Sequence, residues 1–282
     1  EMHISFDAED TTVRFLPEMP RAIKTSGHFL MQDRHILINI GKGSIALPSG
    51  KSIDGQAGVF EIADISKKPL MATVDINASG DASAVAEFAS FKPVDAMSRA
   101  PFKAADLGGK VKANIKASFG LDKAHNPPKP SWNVGLDMAN VSVKEPIEGR
   151  KISNLDGEMT IDTKTAALKG TAEIDGMDFD VVLTDPLDPA RKADRDWSIE
   201  GKIGEEDVAK LSPSLAAYVS GKIGIAISKN GAEAQKVKLN LANAGISLPV
   251  VGWRKGAGVP ATAEFSMTVK PGMVEVRDLN FS

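Results

Sequence analysis

The sequence predicts a mainly β protein, a mostly antiparallel sheet with a few short helices. Three observations carry that prediction. The chain repeats itself with a period near one hundred residues, its apolar residues recur at every second position, and helix-forming stretches are scarce.

The repeat can be seen before any secondary structure is assigned. Leu239–Lys255, LNLANAGISLPVVGWRK, falls without a gap on LDMANVSVKEPIEGRKI, which begins at Leu136, an offset of 103 positions. Leu136 and Leu239, Ala139 and Ala242, Asn140 and Asn243, Pro146 and Pro249, and Gly149 and Gly252 are identical. A weaker copy, INIGKGSIALPSG, begins at Ile38 and puts Pro48 in the place of the two later prolines. Such periodicity marks one supersecondary unit stacked on copies of itself. Units over residues 1–106, 107–203 and an incomplete 204–282 are therefore expected, as one continuous array. Strand patterns at both termini, Met2–Phe6 and Met273–Phe281, read as a fragment of something longer.

Taken in order, Met2–Phe6 and Val13–Leu16 read as short strands, and Ser26-Gly27 and Asp54-Gly55 as turns. Ile36, Ile38 and Ile40 alternate as a half-buried strand does. Asp81–Ser90 has helix formers behind an Asp cap, and Val94–Ala104 is a weaker helical piece. KVKANIKASF then puts Val111, Ile115 and Phe119 on one face and Lys110, Lys112 and Lys116 on the other. The prolines of HNPPKP, 125–130, remove ladder donors and make a loop. Trp132–Val143 returns as a strand, Asn154–Gly157 turns, and Asp175-Gly176 closes a hairpin. Glu205–Val219 reads as a helix broken or kinked at Pro213. Val237–Leu241, Ala261–Val269 and Met273–Val276 complete the β pattern.

One face of these strands is greasy. It comprises Ile38, Ile40, Val111, Ile115, Phe119, Leu136, Met138, Ile161, Phe179, Val181, Ile223, Ile225, Ile227, Leu239, Leu241, Phe265, Met267 and Val269. Each such side chain is worth roughly 1.5–3 kcal/mol when buried. Wetting the whole set would exceed the ~5–15 kcal/mol net stability of a domain. Something must cover it: a second sheet, or the same sheet curled over to leave an interior for an apolar ligand. Aromatic residues make up only 5% of the chain, so bulky side chains that would fill such an interior are few.

Composition excludes other classes. A net charge of −3 gives no basic footprint for nucleic acid. Without cysteine there are no disulfides and no thiolate metal sites. His3, His28, His35 and His125 are scattered, and Asp175, Asp178 and Asp180 lack the spacing of a calcium loop, so neither catalysis nor a metal or cofactor is expected.

The Gly-Lys-[Val/Ile] strand openings at Gly109 and Gly221, the YVSGKI junction at Tyr218–Ile223 and LANAGISLPVVGWRK, 241–255, resemble the AsmA-like superfamily of Gram-negative envelope proteins, in particular its YhdP/TamB-type branch. The resemblance implies an elongated, twisted sheet curled into a U-shaped hydrophobic groove lined by the residues named above. It implies a periplasmic location, an inner-membrane anchor outside this chain, phospholipid as cargo between the two membranes, and room for envelope protein partners. It carries no catalytic residues. The competing expectation is a structural or adhesive β-repeat protein with a filled core that binds proteins and no lipid.

Overall fold

The computed structural model describes residues 2–14, 18–92, 94–147, 149–230, 234–270 and 273–282. It is mainly β and antiparallel, and it divides into two compact units, Glu1–Ala166 and Ala167–Ser282. The sequence-derived boundary at 106/107 falls at the start of a strand, and that at 203/204 falls where a strand hands over to a helix.

In the first unit β1 (His3–Val13), β2 (Ala22–Gln32), β3 (His35–Ile40), β4 (Gly43–Ala46), β5 (Ser52–Ile62), β6 (Met71–Asp81), β7 (Leu107–Gly120), β8 (Ser131–Val143) and β9 (Ile152–Asp162) form a single sheet. Its order is β1-β2-β3-β5-β6-β7-β8-β9, with β4 between β2 and β5. Helix α1 (Ala82–Ala89) follows β6. Ala84, fully buried, packs with Leu47 and Ile53, while Ala82 packs with Val111 and Val141.

The second unit holds β10 (Thr165–Ile174), β11 (Met177–Pro186), β12 (Asp196–Ile203), β14 (Ile223–Asn230), β15 (Ala234–Asn240), β18 (Thr262–Lys270) and β19 (Met273–Phe281). A small sheet in the order β13 (Val219–Gly221), β16 (Ala244–Leu248), β17 (Trp253–Lys255) sits in the same unit. Pro213 divides the expected helix into α2 (Glu205–Leu211) and α3 (Pro213–Ala216), since its ring cannot continue the first.

On one strand of each pair the 103-residue offset reappears as register. Val143 and Ser142 face Leu107 and Gly108; in the second unit Ile246 and Gly245 face Val219 and Ser220, on a strand whose own offset is 112. After each pair comes a left-handed glycine, Gly109 at φ 93° and Gly221 at φ 80°. Gly149 and Gly252, at φ 79° and 66°, likewise share the left-handed turn that follows the repeated proline.

Several local expectations change. Ser26-Gly27 and Asp54-Gly55 lie inside β2 and β5, and Asn154–Gly157 lies inside β9. Glycine at 27 allows close approach, since a Cβ there would stand 2.9 Å from the Asn39 carbonyl oxygen, and Gly55 adjoins a register shift. Val13 ends β1, and the Phe15–Leu16 part of the expected second strand lies outside the described residues. Val94–Ala104 gives a 3-10 turn at Ala96–Arg99, with another at Ala104–Asp106. Asp81 precedes α1 without capping it; its Oδ1 accepts a 2.6 Å bond from Lys110 Nζ across the β6–β7 ladder instead.

Candidate apolar face

Directly opposed residues of an antiparallel ladder share a face, so the pairing defines rows across each unit. One row of the first unit reads Phe6–Phe29–Ile38–Phe60–Val74–Ala117–Trp132. Its neighbour reads Ala8–Gly27–Ile40–Gly58–Ile76–Ile115–Val134–Ile161. Further along the same face come Ala78–Ala113–Leu136–Met159 and Gly80–Val111–Met138–Gly157, and Phe119 faces Ala72. None of these rows carries a charge. One residue over, the opposite face reads Asn39–Val59–Asp75–Lys116–Asn133–Asp162.

The second unit repeats the scheme. Val181–Ile199–Ile227–Val237–Phe265 and Phe179–Gly201–Ile225–Leu239–Ala263–Phe281 form its apolar rows, flanked by Ile203–Ile223 on one side and Met267–Val276 and Val269–Val274 on the other. Leu241 follows β15 and is buried beside them. Lys229 and Gln235 oppose one another on this face at the far end of β14, where Lys229 Nζ is tied to the carbonyls of Ala193 and Arg195. Asp180–Glu200–Ala226–Lys238–Glu264–Asn280 lies on the other face.

Within each unit, then, every residue expected to line an apolar surface lies on one face. The helices split the set in two. Val85 and Ala82 of α1 cover Val111, Leu136 and Met138. Val208 of α2, with Ala244 and Ile246 of β16, covers Phe179, Ile223, Leu241 and their neighbours Val181, Ile225 and Leu239. Outside those clusters stand Ile38, Ile40, Ile115, Phe119, Ile161, Ile227, Phe265, Met267 and Val269, all half-buried or exposed. Among the described residues no large side chain is fully buried; only Ala84 and Ala244 reach 0% exposure. A dry two-layer core would enclose its large side chains.

Two depressions, one in each unit, are bordered mostly by polar-face residues, although Ile40, Val74 and Trp132 reach the first and Phe179, Ile225 and Leu239 the second. That of the first unit, about 1010 Å³, is bordered by Glu61, Thr73, Asp75, Asn114 and Lys116; that of the second, about 840 Å³, by Asp178, Asp180, Glu200, Lys238 and Glu264. Their charges pair along the ladder: Lys116 with Asp75 at 3.5 Å, Lys238 with Glu264 at 3.5 Å. What recommends the apolar face is therefore its chemistry and partial exposure, not an enclosed pocket.

Three histidines meet carboxylates, two of them across strand pairs that sequence spacing did not reveal. His35 Nε2 lies 2.9 Å from Glu61, and His125 contacts Asp122. His28 Nδ1 lies 2.7 Å from Asp7, with its Nε2 3.2 Å from Ser5 Oγ, the order of a nucleophile, a base and its orienting group. That trio sits on an open strand surface with Asp7 79% exposed, and neither depression includes it. Water reaches every member, so among the described residues nothing holds a substrate over Ser5 or shields the imidazole. Among the described residues no three His, Asp or Glu gather as a metal site, and no helix is long and apolar enough to cross a membrane. No family model, curated protein or solved structure matches this chain.

Proposed function

We propose that the chain is a lipid-binding segment of an envelope protein, which holds phospholipid acyl chains against the apolar rows and passes them along, without catalysis. One observation supports this above the rest: the two long rows of the first unit, ending at Trp132 and Ile161, run without a charge and without full burial of any large side chain. Each methylene withdrawn from water contributes about 0.8 kcal/mol, so an acyl chain needs no polar recognition to stay on such a surface. The absence of polar anchors also lets it slide from strand to strand. Under this reading the sheet curls around its cargo as a groove. The periplasmic location and passage between two membranes rest on the sequence resemblance alone.

The experiment is native extraction of the chain followed by lipid mass spectrometry, with a photo-crosslinker at Ile115 or Ile227. Co-purifying phospholipid, with label on its acyl carbons, is the expected result. A chain free of lipid that ignores added fatty acid sinks the proposal and leaves a β-repeat that binds proteins.

A further inference from the structure

The hairpin β16–β17 is more apolar at its tip than its fold requires. Ile246 and Lys255 oppose one another at its base and face the core of the second unit, where both are shielded. Two residues outward on the same side come Leu248 and Trp253, both partly exposed. The Trp253 ring meets Phe281 edge-on at 6.1 Å, and Phe281 ends the row that begins at Phe179. Beyond them the 3-10 turn Pro249–Val251 carries Val250 at 93% exposure. Apolar surface thus runs from the sheet row, over Phe281 and Trp253, to the outermost tip of the hairpin.

The first unit supplies an internal comparison. At the same offset it places Ile147-Glu148-Gly149-Arg150 where the second has Val250-Val251-Gly252-Trp253, on the same left-handed glycine. The turn is therefore made without an aliphatic pair and without tryptophan.

We infer that the Leu248–Trp253 hairpin dips into a lipid bilayer and joins the membrane to the apolar row behind it. The order of its side chains matches depth in a bilayer: Val250 outermost, then the amphipathic ring of Trp253, then cationic Arg254 on the opposite side of the hairpin. Arg254 is exposed and makes no ion pair among the described residues, which leaves it for anionic headgroups. A protein-binding hot spot would instead centre its aromatic anchor. The inference rests on the acyl-binding reading for its purpose, and its test separates the two.

Vesicles of equal phosphatidylcholine and phosphatidylglycerol are sedimented with the wild-type chain, Val250→Asp and Val250→Ser, and each protein is titrated separately with cis-parinaric acid in the absence of vesicles. Val250 is solvated, so neither substitution disturbs packing. The expected result is wild-type vesicle binding that falls about tenfold or more in Val250→Asp and less in Val250→Ser, with parinaric acid binding unchanged in all three. Vesicle binding that is absent in the wild type, or equal in all three, overturns the inference, and a wild type that still takes up parinaric acid keeps the acyl reading intact. Val250-dependent vesicle binding without parinaric acid uptake supports the membrane contact and removes the acyl row from it.

Discussion

Gly221 lies against Asn243 so closely that a Cβ on the glycine would stand 2.5 Å from the asparagine carbonyl oxygen. Gly109 stands in the same relation to Asn140, the residue 103 positions before Asn243: its Cβ would meet the Asn140 carbonyl carbon at 2.7 Å. Each glycine also occupies the left-handed region, at φ 80° and 93°. The most conspicuous identity in the internal repeat is thus a backbone contact that only glycine opposite it permits.

Alanine at either site combines a left-handed backbone with a clash against main chain that cannot swing away. Gly109→Ala and Gly221→Ala should each lower stability by about 2–4 kcal/mol. Gly149→Ala is the control, at φ 79° with open space around its Cα, and should cost only about 1 kcal/mol. Urea midpoints decide the matter; equal losses at all three glycines would show that the Asn contact has no role.

Lys255 is 8% exposed, and its Nζ donates to the carbonyls of Leu241 at 2.6 Å, Ala244 at 2.8 Å and Gly256 at 3.2 Å. It braces the loop from β15 to β16 by adding a donor to these carbonyls, of which that of Leu241 also accepts from the Ala244 N–H. Lys255→Met keeps the length of the side chain and removes all three donations. A loss of about 2–4 kcal/mol in urea unfolding is expected; a loss under about 0.5 kcal/mol would mean that the carbonyls find other donors.

Acid should destabilise the fold through carboxylates that the ladder holds in charged form. The hydrogen bond from Lys110, with its charge, keeps Asp81 below the ordinary carboxylate range. The backbone N–H groups of Lys164 and Thr165 do so for Asp162, and the hydrogen bond from Lys236 does so for Glu264. A depressed carboxylate contributes stability that is complete above its unfolded pKa, about 4, and is lost as pH falls through the folded value. Lys110 is raised by the same Asp81 contact, so its share is complete below its unfolded pKa, about 10.4, and is lost as pH rises through the folded one. Urea midpoints should therefore be flat around neutrality and drop below about pH 4. Asp162→Asn should shallow that drop, and an acid limb as steep as the wild type's would rule Asp162 out as a contributor.

The faces were legible because period two is a local property: Ile36, Ile38 and Ile40, or Val111 against Lys112, sort themselves without knowledge of partners. Asp175-Gly176 was equally legible, since φ of 52° and 82° at consecutive positions is what Asp-Gly favours. Ser26-Gly27 and Asp54-Gly55 misled for the converse reason. Their glycines admit a close neighbouring strand and a register shift, and neither is visible until the ladder is known. Cross-strand partners were beyond reach on the same ground: His28 and Asp7 lie 21 positions apart and meet only through the β1–β2 register. Which apolar residues α1 and α2 would cover depends on where each helix lands, and helix spacing alone does not fix that.

That cover yields the most discriminating prediction about the apolar face. Ile38 and Ile115 stand outside the packed clusters and are half-buried, whereas Val111 and Ile223, each 6% exposed, lie in the clusters that include α1 and α2 residues respectively. Lys112 shares a strand with Val111 and Ile115 but points to the polar face. A benzophenone side chain at each position, irradiated with phospholipid present, should label strongly from 38 and 115, weakly from 111 and 223, and not at all from 112. Equal labelling from 111 and 115 would mean that α1 lifts off the sheet and that the lipid path runs beneath it. Labelling from 112 as strong as from 115 would put lipid on both faces, and the charge-free rows would then have no claim to be the track.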